Sequence, residues 1–457
     1  MTRKEKDVIG EIELPDGVYY GINTYRALQN FKISGISPDS DHVRSMVLIK
    51  KCAALANRTG KKLPEEKADA IVRACDRILD GELLDNFKLD VFQAGAGTSF
   101  NMNANEVVAN LALEVAGKKK GDYSSIHPND HVNMSQSTND VYPTMMRVTA
   151  VEKMARLRKE ALSLSASFSA KSKEFRSVVK PGRTHLQDAA PVTLGIELAS
   201  WAYACDRAIT EIDSAVDFLL DLNIGGTAVG TGINTAPGFQ KNVVAELARH
   251  SGFAFRASRN LPGIMEFMSD FNRSMNAVAN FAIDLGKVSN DIRLLYSGPG
   301  AGIHEIRIPA VQQGSSIMPG KINPSIAEAF NMICHSVLGS QQAVNFSSMA
   351  GQLELNVMMP NIDLELTRSI DILTNGIKMF REKLIDGLEA DTESSREHMS
   401  RSFGSAALLN PVLGYDTVAR IVQEAMHTGK SIKSLALATG KIKEEEFDRL
   451  MSSGIPK

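Results

Sequence analysis

Three stretches in the middle of the chain repeat apolar residues at steps that alternate between three and four, and this restricts the fold more than any other feature. The first runs Leu194, Leu198, Trp201, Cys205, Ala208, Ile212, Val216, Leu219. The second runs Met268, Phe271, Met275, Val278, Ala282, Leu285, Val288, Ile292, Leu295, and the third Leu366, Ile370, Leu373, Ile377, Phe380. A mean step near 3.5 describes seams of long helices packed almost parallel, as in a bundle. At 1.5 Å per residue such helices are ~35–50 Å long. Helices of that length outrun one compact subunit of 457 residues, so packing between subunits and a homo-oligomer are expected. The Met265, Met268 and Met275 stripe reads as core filler.

Elsewhere the pattern is also helical. Ala68, Ile71, Val72, Cys75 and Leu79 share one helix face, and Gly81 supplies a stop. Strand signals are confined to 11–14 and 18–20. The expected class is therefore all-α, with a mainly helical N-terminal domain over 1–137, a long-helix bundle over 138–389 and a small helical domain over 390–457. Within the last, 431–450 reads as two short amphipathic stretches divided by Thr439-Gly440. No internal repeat and no Gly/Ser- or Pro-rich linker is visible.

Charge and cysteine usage narrow the function. With 51 Lys+Arg against 53 Asp+Glu the net charge is −2, which offers no field for nucleic acid or a membrane surface. Lys118-Lys119-Lys120 reads as a solvated turn. The charged start, Met1 to Asp7, has no apolar core behind it and is not expected to be a secretory signal, and no window approaches the ~20 apolar residues of a membrane span. Cys52, Cys75, Cys205 and Cys334 lie far apart without Cys-x-x-Cys spacing, so buried free thiols in a reducing cytoplasm are expected rather than zinc or disulfides.

Four polar, glycine-containing stretches interrupt the helical pattern: 93–103, 127–140, 182–189 and 314–324. Together they supply hydroxyls, amides, histidines and one lysine but few carboxylates, an inventory suited to binding a small dianion. His127 and His131 lack the Glu of a His-Glu-x-x-His helix, which argues against a metal pair. Gly225 to Gly232 has the glycines of a nucleotide loop, but neither the preceding strand nor a following Lys-Ser/Thr. Ser315 does not sit in Gly-x-Ser-x-Gly.

Gly314-Ser315-Ser316-Ile317-Met318-Pro319-Gly320-Lys321-Ile322-Asn323-Pro324 resembles the signature loop of the aspartase/fumarase superfamily. The other three stretches resemble that family's remaining signature stretches in the same order. The resemblance implies a three-domain, all-helical subunit whose long helices form a twenty-helix core in a homotetramer, with each active site shared by three subunits. It implies a small dicarboxylate substrate and neither cofactor nor metal. By resemblance Ser315 is the base that takes a proton from the carbon beside one carboxylate. Thr98, Ser137, Thr138 and Ser316 would hold the aci-carboxylate that results, and Lys321 and Asn323 the other carboxylate. Asn139 and His185, with Thr184 beside them, would lie near the leaving amine or hydroxyl.

Within the family, 93–99 and 136–140 follow the aspartase form, as does Tyr19-Tyr20-Gly21, so reversible deamination of aspartate to fumarate and ammonia is expected. Hydration of fumarate to malate is the alternative, towards which Gly225-Gly226-Thr227 leans. A non-catalytic structural homologue is the remote one, against which Ser315 and Lys321 are both intact. Two positions depart from the pattern: Gly300 stands where both branches usually have Arg, and Met359 where aspartases usually have Glu before Pro.

Overall fold

The computed structural model describes residues 2–453; Met1 and residues 454–457, the outermost ends of the first and last expected domains, lie outside the described residues. In chain order the elements are β1 (Thr2–Lys6), β2 (Glu11–Pro15), α1 (Ile22–Asn30), α2 (Ser40–Thr59), α3 (Glu65–Leu79), α4 (Thr98–Val115) and α5 (Thr138–Glu174). Then come β3 (Val179–Thr184), β4 (Gln187–Thr193), α6 (Leu194–Leu219), β5 (Asp221–Leu222), α7 (Phe239–Ser251), β6 (Arg256–Ala257), α8 (Leu261–Glu266) and α9 (Ser269–Leu295). The rest are β7 (Ile306–Arg307), α10 (Ser325–Met349), α11 (Met359–Phe380), β8 (Glu389–Ala390), α12 (Thr392–Arg401), α13 (Asn410–Leu413), α14 (Tyr415–Thr428), α15 (Ile432–Ala438) and α16 (Glu444–Ser453). The architecture is all-α, and the strands pair only in twos: β1 with β2, β3 with β4, β5 with β6, β7 with β8.

The chain divides into two compact units, one of residues up to 158, 210–280 and 336–373, the other of 159–209, 281–335 and from 374 onward. Helices α5, α6, α9, α10 and α11 contribute to both. The three apolar seams coincide with α6, α9 and α11.

In the first unit α2 starts where Asp39 accepts the N–H groups of Asp41 and His42 at 3.0 and 3.1 Å, satisfying two otherwise orphaned donors. Its apolar face packs against α3 and α7, with Met46, Ile49, Cys52, Ile71, Cys75 and Leu247 fully buried. Each large aliphatic side chain so buried contributes roughly 1.5–3 kcal/mol. Buried Glu106 on α4 receives the start of α1, accepting from the Gly21, Asn23 and Thr24 N–H groups and from the Thr24 hydroxyl at 2.6–3.1 Å. Residues 18–20, expected as a strand, form none. Side chains meet their backbone instead: Asn86 accepts from Tyr19 N, and Asn110 donates to Tyr19 O.

The 37-residue helix α5 was not marked by an apolar seam. Residues 140–151 are all buried, and a helix covered on every side has no stripe to read.

In the second unit the hairpin β3–β4 runs in the register Val179↔Thr193 to Thr184↔Gln187, with an irregularity between Pro181 and Arg183. Pro181 and Pro191 disguise it, since proline ordinarily argues against a strand. The C-terminal helices close over their own core of Leu409, Val418, Ile421, Ala425, Ala436 and Phe447. Among the described residues no helix is long and apolar enough to cross a membrane. All four cysteines are free and buried.

Candidate active site

In the first unit two helix N-termini meet. Thr98 opens α4 and Thr138 opens α5, and the Asn101 amide, one turn into α4, donates to Thr138 Oγ1 at 3.0 Å. Gly97 makes the approach feasible. It lies at φ +79°, and a Cβ there would stand 2.0 Å from the ring of Tyr142 on α5. The N–H groups of a first helical turn are unpaired and carry the positive end of the helix dipole. Exposed Thr98 and half-buried Ser137, Thr138 and Asn139 therefore stand where an anion is favoured.

Two buried ionisable groups support this corner. Asp140 caps α5 by accepting Ser137 N at 2.9 Å, and its other oxygen accepts Gly225 N and Thr227 N at 3.0 and 2.8 Å. The glycine run that imitated a nucleotide loop thus wraps a carboxylate. Lys50 on α2, fully buried, donates to Asn101 Oδ1 at 2.7 Å, Asn133 Oδ1 at 2.9 Å and Gln136 Oε1 at 3.0 Å. Burial pushes the Lys50 ammonium down to about 7, with Asp140 opposing the fall. Burial likewise pushes the Asp140 carboxyl up to about 7 against the backbone N–H groups that hold it. Asn139 turns its amide to Ala228 O at 2.9 Å.

In the second unit Thr184 and His185 form the exposed tip of the β3–β4 hairpin. His185 and Leu186 adopt φ +55° and +60°, the left-handed pair of a two-residue turn that normally selects Gly or Asn. Non-glycine residues held there store strain and occur preferentially at functional sites. The hairpin is anchored one residue earlier, where Arg183 grips fully buried Glu305 with two bonds of 2.9 and 2.7 Å. Lys180 at 3.1 Å and His398 Nδ1 at 3.0 Å share that carboxylate.

The same unit holds the loop from 308 to 324. Ser315 Oγ accepts the N–H groups of Met318 at 3.0 Å and Ile317 at 3.3 Å. Asn323 closes the loop by donating to Gly314 O at 2.7 Å, and a Cβ on Gly314 would stand 2.1 Å from Lys321 O. Ser316 and Lys321 point into the open. A cleft of about 640 Å³ is lined by Tyr296, His304, Lys321, Asn323 and Glu328. Gly300 nearby has nothing within 4 Å of where a Cβ would stand, so the backbone there does not itself demand glycine. Met359 is fully buried, in surroundings where a glutamate would need a partner.

The ten expected site residues thus fall into two sets, Thr98 with Ser137, Thr138 and Asn139 in one unit, and Thr184, His185, Ser315, Ser316, Lys321 and Asn323 in the other. Lys50, Asn101, Asp140, Arg183 and Glu305 were not anticipated. Asn101, Asp140 and Arg183 lie inside the polar stretches but were given no role there, and Lys50 left a fainter signal, a lysine in line with Val43, Met46, Ala53 and Asn57 on an apolar helix face.

Residues 10–339 match a family model described as lyase, and residues 406–453 one described as fumarase C C-terminus. An aspartate ammonia-lyase of Bacillus subtilis (strain 168) is 43% identical over 98% of this chain and 95% of its own length. One of Escherichia coli (strain K12) is 41% identical over 98% and 95%. The crystal structure of a fumarate lyase:delta crystallin from Brucella melitensis bound to cobalt superposes with a TM-score of 0.96 at 41% identity, covering 99% of both chains.

Proposed function

The chain belongs to the lyase family that includes the aspartases and fumarases, and from that membership we propose that it is an aspartate ammonia-lyase, a carbon–nitrogen lyase that deaminates L-aspartate reversibly to fumarate and ammonia. The observation that carries the chemistry is Ser315. Its hydroxyl oxygen already receives two backbone N–H donors, which favours the alkoxide that a serine base requires. The choice of aspartate rests on relatives of 41–44% identity spanning nearly the whole chain.

In this reading Ser315 removes the proton from the carbon beside one carboxylate, and the electron pair moves onto that carboxylate as an aci-carboxylate. Thr98, Ser137, Thr138 and Ser316 donate to it as its charge grows, the situation in which preorganised donors act most strongly. Lys321 and Asn323 hold the second carboxylate. Collapse of the intermediate expels the amine beside Asn139, Thr184 and His185. We further propose a cytoplasmic homotetramer of three-domain subunits, divided as 1–137, 138–389 and 390–457, whose sites draw on three subunits. Large apolar side chains left open on α10, Met332, Phe346 and Met349 at 66–77% exposure, favour such packing.

Steady-state comparison of L-aspartate and L-malate, followed by fumarate absorbance, tests the substrate. Both carry two carboxylates, so discrimination falls on the third group. A site built for one polar group rejects its substitute by up to ~10⁴-fold. A higher kcat/KM for malate than for aspartate would make the protein a fumarase.

A further inference from the structure

Behind the hydroxyls at the start of α5 lies a run of hydrogen bonds whose direction is fixed at one end. We propose that Lys50 is a positioning residue for the lyase reaction: held by Asn101, Asn133 and Gln136, its ammonium orients the Asn101 amide so that the Thr138 hydroxyl is left to donate its proton to the substrate carboxylate. The proposal rests on the reading of Thr138 as a carboxylate-binding group.

An ammonium has three N–H groups and no lone pair. Its partners at 2.7, 2.9 and 3.0 Å are all amide oxygens, so every donor is engaged and Asn101 must present its carbonyl to Lys50. Its NH2 group then faces the other way, 3.0 Å from Thr138 Oγ1. A hydroxyl carries one proton and two lone pairs. With a lone pair taken by Asn101, the Thr138 proton cannot point back at the amide and turns outward.

A neutral amine, which burial favours as the pH rises past about 7, would break this order. It has two N–H groups and a lone pair, which would oppose a carbonyl oxygen and leave the Asn101 amide free to turn over, whereas Asn133 and Gln136 stay held by the carbonyls of Gln136, Val132 and Met134. Burying a charge is costly without compensation, and among the described residues no carboxylate lies within 4 Å of Lys50 Nζ. The charged form of Lys50, two hydrogen bonds removed from a candidate substrate donor, therefore points to function rather than packing.

A double-mutant cycle with L-aspartate decides the matter. Lys50→Met is expected to lower kcat/KM at least ~10-fold, with the fall carried by kcat, because an oriented donor matters most as charge develops. Thr138→Val should do the same, and the double variant should match Thr138→Val alone within about twofold, since no hydroxyl remains to be oriented. Independent, multiplicative losses would overturn the relay while leaving Thr138 in the site. An unimpaired Thr138→Val enzyme would instead remove the premise by showing that Thr138 does not serve the substrate. Should Lys50→Met fail to fold, Asn101→Leu takes its place in the cycle, removing the same donor while Lys50 keeps two amide partners. A Lys50 variant with wild-type kcat would also overturn the proposal.

Discussion

At the residue scale the proposed base is the sharpest point of test. Ser315→Ala removes the oxygen that accepts from Ile317 and Met318 but no group buried in the core. Turnover of L-aspartate should fall by at least ~10³-fold, the scale of losing a group central to the chemistry. Thermal unfolding should be unchanged. A variant keeping more than a tenth of wild-type kcat would assign proton removal to another residue. The loop that carries Ser315 was legible as a candidate because its eleven-residue setting is distinctive. Lys50 was not, because two consecutive lysines in a helix ordinarily mean a solvated edge, and only the packing of α3 and α4 over α2 shows that the first of them is enclosed.

Elements were legible in proportion to how one-sided they are. α6, α9 and α11 each carry an apolar stripe and were found; α5, enclosed all round over 140–151, and β3–β4, built around two prolines, were not. One contact between elements has a measurable pH signature. His42, in the first turn of α2, places Nδ1 2.7 Å from Asp39 and Nε2 3.3 Å from Asp363 on α11. Tyr142 Oη lies 3.3 Å from the same Asp363, and Lys153 Nζ 2.8 Å from Asp39. Burial alone would lower the imidazole pKa, but Asp363 and Asp39 outweigh it and push it up to about 10. A histidine raised on folding contributes stability that is complete below its unfolded value, ~6.5. That stability is lost as pH climbs through the folded value. Urea unfolding from pH 6 to pH 10 should therefore show falling stability, and His42→Gln should flatten that slope. The substitution should also cost roughly 3–5 kcal/mol at pH 6, the scale of removing one partner from a buried ion pair. An unchanged slope would mean that His42 is not charged in the native protein.

For the whole molecule, the open apolar side chains of α10 and the exposed hairpin tip argue for association. Sedimentation should return a mass near four times 49.6 kDa, and a fully active monomer would sink the shared site. The number four was not legible in the seams, which show only that long helices must find partners. The enclosure of all four thiols has a practical side. Burial holds Cys52, Cys75 and Cys205 well above the ordinary thiol range and Cys334 up to about 12, so the thiolate that alkylating dyes require is scarce on this protein. The native surface is in effect blank to such reagents. A single cysteine introduced at Ile317, 84% exposed on the Ser315 loop, would carry a fluorophore with no competing label, and any movement of the loop on substrate binding would be read in an otherwise wild-type background.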